Sequence, residues 1–111
     1  MSTNTTKADL SVANEIKRQL FSINRNEVYC WGAHNWCGVE DDGKSMLGAL
    51  IFSVQNTTQL KKGIVKIELN AMDLYDIFIY DNKNNDYQNF AEAKGIYCDM
   101  LVDVIHNLID S

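Results

Sequence analysis

Hydrophobic residues near the start of the chain recur at the spacing of a helix. They are separated by three or four positions, with polar residues between them: Ala13, Ile16, Leu20 and Ile23. This period places all of them on one side of a helix, so we predict an amphipathic helix over residues 10–23. Residues 1–8 are polar and have no period, and we therefore expect a disordered N-terminus followed by a single folded domain over 9–111.

After this helix the pattern changes to the short apolar runs and two-residue alternation that are typical of strands. In one segment Val65, Ile67 and Leu69 alternate with charged residues, which predicts a half-buried strand. The other segments are apolar, β-branched or aromatic and are separated by turn-forming residues. The predicted strands cover residues 28–36 (a short strand running into a turn), 46–54, 64–69, 74–80 and, more weakly, 87–93.

Apolar residues return to helical spacing at the end of the chain, which predicts a helix over residues 97–109 with Tyr97 and Leu101 in its apolar stripe. The order of elements is then α-β-β-β-β-(β)-α, with the strands grouped between the terminal helices. This order is typical of an α+β domain. We expect an antiparallel sheet of four to five strands with both helices packed on one face.

Composition and charge limit the number of domains and the classes of partner that the chain can have. The chain has 111 residues and a net charge of -5, so it is large enough for one core but too short for two. Its 15 acidic residues outnumber the 10 basic ones, and the longest basic run is Lys61 followed by Lys62. Because affinity for nucleic acid depends on clustered cations, we expect no direct binding of nucleic acid. The acidity instead favours a partner with a basic surface, such as a surface that binds nucleic acid.

No segment has the apolar length of a signal sequence or of a membrane-spanning helix. We therefore expect no contact with a membrane. The three cysteines, Cys30, Cys37 and Cys98, are an odd number in a chain without a visible signal. This number favours reduced thiols in the cytoplasm over a disulfide framework.

Metal binding and catalysis have candidate residues, but the patterns do not favour either. Cys30, His34 and Cys37 form only one half of a zinc-knuckle pattern. We predict instead that Cys30 and Cys98 are core residues. No phosphate-binding loop, dinucleotide fingerprint or nucleophile motif occurs in the chain. We therefore predict no metal, no cofactor and no enzymatic activity.

The segment that contains both tryptophans is the first candidate binding surface. Strand alternation would place Tyr29 and Trp31 on the same face, either as a core pair or as an exposed patch. Trp36 falls in the predicted turn, where an exposed tryptophan is a typical anchor of a protein interface. His34 and Asn35 lie between these aromatic residues and belong to the same candidate surface.

The hairpin between the two central predicted strands is the second candidate binding surface. It contains Asn70, Asp73, Tyr75 and Asp76. Asn70 and Asp73 are suited to capping the turn through hydrogen bonds from the backbone to their side chains. A structural role in the turn is therefore an alternative to a binding role for these residues.

Four short segments together resemble a group of small phage and prophage proteins. The group has an I-x-x-Q-L helix, a G-A-x-N aromatic turn, an L-N-x-x-D-x-Y-D hairpin and a G-[IV]-Y-x-D-M-L helix start. The corresponding segments of this chain are 16–20, 32–36, 66–76 and 95–101, within a similarity that spans roughly 13–102.

The resemblance implies a phage origin, a place in the cytoplasm of a bacterial host and no established catalytic activity. Many members of the group have no described function. Members usually have Lys and Phe where this chain has His34 and Trp36, and the cysteines are not part of the pattern. The resemblance therefore supplies no catalytic residues.

Two functions follow as hypotheses. The first is a non-enzymatic phage protein that contacts a host protein or complex, for example as an inhibitor of a defence complex in the manner of an anti-CRISPR protein. The alternative is a protein that binds or sequesters a small ligand such as a nucleotide. A two-fold dimer is a further expectation. The candidate binding residues are Tyr29, Trp31, His34, Asn35, Trp36, Asn70, Asp73, Tyr75 and Asp76.

Overall fold

In the computed structural model, which describes residues 11–40, 46–83 and 86–110, two helices flank a five-stranded sheet. The predicted α+β fold is confirmed. The elements are α1 (Ser11–Cys30), β1 (His34–Glu40), β2 (Met46–Gln55), β3 (Lys62–Asn70), β4 (Tyr75–Lys83), β5 (Asp86–Ile96), a 3₁₀ turn (Cys98–Met100) and α2 (Leu101–Ile109). Within these ranges no helix has the length and apolar character needed to cross a membrane. The expected disordered segment 1–8 lies outside the described residues.

The sheet is a meander in which each strand pairs antiparallel with the strand before it. One end carries the β3–β4 turn, residues 71–74, and we call it the hairpin end. At the other end, which we call the cavity end, β1 and β5 begin, β2 ends at Gln55 and β3 begins at Lys62. Strands β3 and β4 have nine residues each, which separates the two ends by roughly 27 Å.

The core lies on the face of the sheet that the helices cover. Alternate residues of the central strands are buried on this face: Phe52, Val54, Val65, Ile67, Ile77 and Ile79. They form one cluster with Ile16 and Leu20 of α1 and with Leu101 and Ile105 of α2. Full burial stabilises each such side chain by about 1.5–3 kcal/mol. Both helices therefore lie on one face, and no helix of the described residues covers the opposite face, which we call the open face.

Helix α1 is longer than predicted because it continues beyond a kink. The backbone of Asn24 is not helical, with φ -158° and ψ 87°. Its Oδ1 accepts a hydrogen bond from the Glu27 N–H at 3.1 Å, in the asparagine-to-glutamate pattern that starts a helix. Residues 28–30 are consequently helical. The strand predicted over 28–36 is wrong in its first half, since β1 begins only at His34.

The C-terminal elements also differ from the prediction at their boundaries. Strand β5 has 11 residues and is exposed over most of its length, because it is an edge strand. The helix predicted from residue 97 begins as a 3₁₀ turn and becomes α-helical only at Leu101. Tyr97 is therefore exposed instead of belonging to the apolar stripe.

Candidate functional site

The predicted binding residues do not form one surface. The register of the sheet places His34 and Asn35 at the cavity end and the β3–β4 turn at the hairpin end. The aromatic residues of the first candidate segment lie on the helix-covered side, at different depths. Each group therefore has a different environment.

Trp31 is a core residue. Its side chain is fully buried and stacks on Phe52 with ring centroids 6.3 Å apart and an interplanar angle of 10°. Its indole Nε1 has no hydrogen-bond partner among the described residues. Tyr29 is 66% exposed, so the expectation that Tyr29 and Trp31 share a face is wrong. Tyr29 lies in the last turn of α1 and Trp31 follows directly after its end, so the strand alternation that would place their side chains on one face does not apply.

Trp36 is half-buried and does not stand free as the exposed anchor that we expected. Its ring lies 4.6 Å from that of Phe52 and 5.6 Å from that of Phe21. The ammonium group of Lys17 lies 4.7 Å from the Trp36 ring centroid, in cation–π geometry. Trp36 therefore covers the edge of the core between α1 and β2.

His34 and Asn35 lie at a bulge in β1. The register between β1 and β2 shifts after His34, and Asn35 has a left-handed backbone with φ 55°, which asparagine tolerates better than most residues. The Nδ1 of His34 donates to the Gly32 carbonyl oxygen at 2.7 Å, because a carbonyl oxygen can only accept. Both side chains line a small cavity at the cavity end.

In the hairpin, Asn70 caps the turn as predicted. Its Oδ1 accepts the backbone N–H groups of Met72 at 2.8 Å and Leu74 at 3.2 Å. Asp73 contributes in another way, because its backbone is left-handed with φ 66° and its N–H donates to the Asn70 carbonyl oxygen at 3.0 Å. The predicted cap through the Asp73 side chain is not seen among the described residues.

Tyr75 and Asp76 are also held within the fold. The Asp76 Oδ1 accepts from Asn70 Nδ2 at 3.3 Å and from the Gly95 N–H at 3.0 Å, which joins the turn to β5. Tyr75 is 6% exposed, and its hydroxyl donates to Gln19 Oε1 at 3.1 Å. Burial raises the pKa of Tyr75. The polar side chains of Asn70, Tyr75 and Asp76 thus mainly stabilise the fold.

Beside these structural residues runs a groove that the sequence did not predict. Three adjoining cavities of about 530, 350 and 270 Å³ follow α1 past the β3–β4 turn and the 3₁₀ turn. We call them together the hairpin groove, lined by Glu15, Gln19, Leu69, Met72, Asp73, Tyr75, Tyr97, Cys98 and Asp99 among others. Met72 is 79% exposed and Tyr97 is 64% exposed.

The charges of the hairpin groove are mostly negative. Glu15 and Arg18 neutralise each other through a hydrogen bond of 3.0 Å from Arg18 Nε, which holds the pKa of Glu15 below its usual value. Asp73 and Asp99 form no ion pair with another described residue. The groove therefore presents exposed apolar groups between carboxylates.

The cysteines take no part in a metal site within the described residues. Cys30, Cys37 and Cys98 are free and exposed, so the prediction that Cys30 and Cys98 are core residues is wrong. Cys30 and Cys37 do not belong, with His34, to any group of metal-ligating side chains that the described ranges bring together. The thiols are separated because Cys30 ends α1 whereas Cys37 lies inside β1.

A different group of metal-ligating residues, Glu27, His106 and Asp110, lies between the two helices. The Nδ1 of His106 donates to Glu27 Oε2 at 2.6 Å. Asp110 Oδ1 accepts from the N–H and the hydroxyl of Thr58, each at 2.9 Å. These contacts join α2 to the second part of α1 and to the β2–β3 loop. They explain the group as a tertiary connection that no local sequence signal could reveal.

Comparison of the chain with models of protein families, with curated proteins and with solved structures finds no match.

Proposed function

We propose that this protein is a non-enzymatic binding protein of phage type that contacts a basic surface of a host protein or complex through the hairpin groove. The observation that carries the proposal is the exposure of Met72 and Tyr97 beside Asp73 and Asp99 along one groove. An inhibitory contact with a nucleic-acid-targeting defence complex is the form of this function that the resemblance to phage proteins favours.

The side chains of the groove suit a protein partner. Methionine adapts its shape to a partner surface, and tyrosine contributes a large contact area at low cost in side-chain entropy. Residues of these types, when they become buried, contribute most of the affinity of an interface. Met72 and Tyr97 lie in the same cavity of about 530 Å³, so one partner segment can contact both.

The unpaired carboxylates suit a partner that carries positive charge. Asp73 and Asp99 flank the apolar groups, and the whole chain has a net charge of -5. Such a charge accelerates association with a basic surface and opposes contact with nucleic acid. A surface that normally binds a phosphate backbone has the complementary charge, and occupying it would block its normal ligand.

Affinity purification with tagged variants in bacterial lysate tests this proposal. We expect the wild-type chain to retain a host protein at stoichiometric amount, and the double variant Met72→Ser with Tyr97→Ser to lose it. Tyr29→Ser is the matched control, since Tyr29 is exposed to the same extent as Tyr97 but lies outside the groove. Retention should also weaken as salt is raised, because the complementary charges become screened.

Two results would contradict the proposal. One is that no host protein is retained at stoichiometric amount at any salt concentration. The other is that Tyr29→Ser loses the partner whereas the groove variant keeps it, which would assign binding to the aromatic segment. Inhibition is then tested with the purified partner, whose binding of nucleic acid should fall when the wild-type chain is added.

A further inference from the structure

The cavity at the cavity end of the sheet has the features of a small-ligand site. It has a volume of about 230 Å³, and its lining comes from all five strands. Cross-strand pairing places the side chains on the open face: His34 is opposite Ser53, Gln55 is opposite Lys62, and Asn82 is opposite Tyr87. The meander therefore gathers polar residues from distant parts of the chain at one place.

Hydrogen-bonding capacity of the residues that line this cavity is not used up by the described part of the protein. The Oδ1 of Asn82 is buried and has no hydrogen-bond partner among the described residues. A buried acceptor without a partner costs about 1–3 kcal/mol, so such an atom calls for a ligand or an ordered water. The Nδ1 of His34 donates to the Gly32 carbonyl oxygen, which leaves Nε2 as the acceptor of the neutral ring.

The charge of the cavity is positive, in contrast to the rest of the protein. Lys62 lines it and forms no ion pair within the described ranges. No aspartate or glutamate is among the described lining residues. The amide groups of Asn35 and Gln55 can add further donors beside the ammonium group. This set of donors favours an anionic group with several acceptor oxygens, such as a phosphate.

The rim and the size of the cavity limit the rest of the ligand. Tyr87 lines the cavity and is 52% exposed, so its ring offers a surface on which a sugar or a base can lie. Cavities for drug-sized ligands have volumes of about 300–1,000 Å³. A cavity below that range accommodates a phosphate and a sugar, with any larger group outside it.

We propose that this cavity binds a phosphorylated sugar, either free or as the ribose phosphate of a nucleotide. Lys62, Gln55 and Asn35 donate to the phosphate oxygens, whereas Asn82 Oδ1 and His34 Nε2 accept from the sugar hydroxyl groups. The site is independent of the hairpin groove, which lies at the opposite end of the sheet. Failure of either proposal therefore leaves the other standing.

Calorimetric titration of the full chain tests the proposal with inorganic phosphate, ribose 5-phosphate and adenosine 5′-monophosphate, and with ribose and adenosine as uncharged probes. We expect both sugar phosphates to bind at least tenfold more tightly than inorganic phosphate or the uncharged probes. Tighter binding of ribose 5-phosphate would identify a free sugar phosphate as the ligand, and tighter binding of the monophosphate would identify a nucleotide. Absence of binding, or equal binding of inorganic phosphate and sugar phosphates, would overturn the proposal.

Variants of the cavity separate a specific site from general attraction by charge. Lys62→Gln should weaken binding of ribose 5-phosphate about tenfold. Lys61→Gln is the matched control, because Lys61 is also exposed and adjacent but does not line the cavity. Asn82→Ala should reduce the preference for ribose 5-phosphate over inorganic phosphate. Equal losses in Lys61→Gln and Lys62→Gln would contradict the proposal, as would an unchanged preference in Asn82→Ala.

Discussion

Two asparagines at opposite ends of the sheet have opposite hydrogen-bonding states. At the hairpin end, Asn70 accepts two backbone N–H groups and donates to Asp76. At the cavity end, the Oδ1 of Asn82 is buried and accepts no hydrogen bond from a described residue. The same side chain thus completes a turn in one place and leaves an unused acceptor in the other.

This difference distinguishes polar groups that stabilise the fold from polar groups that remain available to bind a ligand. Buried polar groups normally have hydrogen-bond partners within a protein, so a group that has such partners needs no ligand to explain it. Asn70, Tyr75 and Asp76 looked like binding residues in the sequence, but their polar atoms contact other parts of the chain. Among the described residues, the groups that remain available include Lys62 and Asn82 at the cavity end, and Asp73, Asp99 and exposed apolar side chains at the hairpin end.

The largest expected effect on stability comes from truncating a core side chain beneath the cavity end. Trp31 is fully buried there, and its carbonyl oxygen accepts from the Gln55 N–H at 3.0 Å. Trp31→Ala should lower the free energy of unfolding by about 3–5 kcal/mol. Trp36→Ala, which truncates a half-buried ring, should cost less. Urea denaturation of both variants checks this order, and equal losses would contradict the different depths of the two rings.

The hairpin end should weaken by a smaller amount when its cap is removed. Asn70→Ala leaves the N–H groups of Met72 and Leu74 without their acceptor, and we expect a loss of about 1–2 kcal/mol. Asp73→Gly is the matched control in the same turn, since a left-handed φ of 66° is favourable for glycine. Its unfolding free energy should stay within about 0.5 kcal/mol of the wild type. A larger loss in Asp73→Gly would show that the Asp73 side chain supports the turn.

Tyr75→Phe should give a loss that depends on pH. At neutral pH, removal of the hydroxyl that donates to Gln19 should cost about 0.5–1.5 kcal/mol. Burial raises the pKa of Tyr75 in the folded protein, whereas in the unfolded chain it is about 10. Stability that Tyr75 contributes below pH 10 is therefore lost as the pH rises through the folded pKa. Urea midpoints between pH 8 and 11 should converge for the two proteins, and parallel pH profiles would contradict this account.

The smallest expected effect completes the comparison of the two asparagines. Asn82→Ala removes an acceptor that has no partner among the described residues, so no hydrogen bond within these residues is lost at Oδ1 and the unfolding free energy should not fall more than about 0.5 kcal/mol below that of the wild type. Urea denaturation beside Asn70→Ala measures the difference directly. A loss in Asn82→Ala as large as that in Asn70→Ala would remove the distinction between the two ends of the sheet.

Local patterns predicted the elements well wherever one period continued without interruption. Strand β3 was found because Val65 and Ile67 alternate with charged residues, and both are fully buried in the sheet. The segment after Asn24 was misread because its apolar residues look like a strand over three positions. The missed signal was the helix cap formed by Asn24 and Glu27.

The candidate sites were less predictable because their residues are far apart in the sequence. Lys62 and Asn82 meet at one cavity only through the pairing of β2, β3 and β4. Met72 and Tyr97 meet at the hairpin groove only because β5 returns along β4 to the turn. No property of the separate segments indicates that these pairs of residues lie close together in the fold.

The sequence by itself determined the class of fold, the number of strands within one, the capping role of Asn70 and the acidic charge. These follow from hydrophobic period, turn chemistry and composition, which act over a few neighbouring residues. Only the tertiary structure decided that Trp31 is core, that Tyr75 and Asp76 are held within the fold, and which polar atoms are left without partners. Burial and hydrogen-bond satisfaction depend on the register between strands and on the packing of helices against them, and both arise between residues distant in the chain.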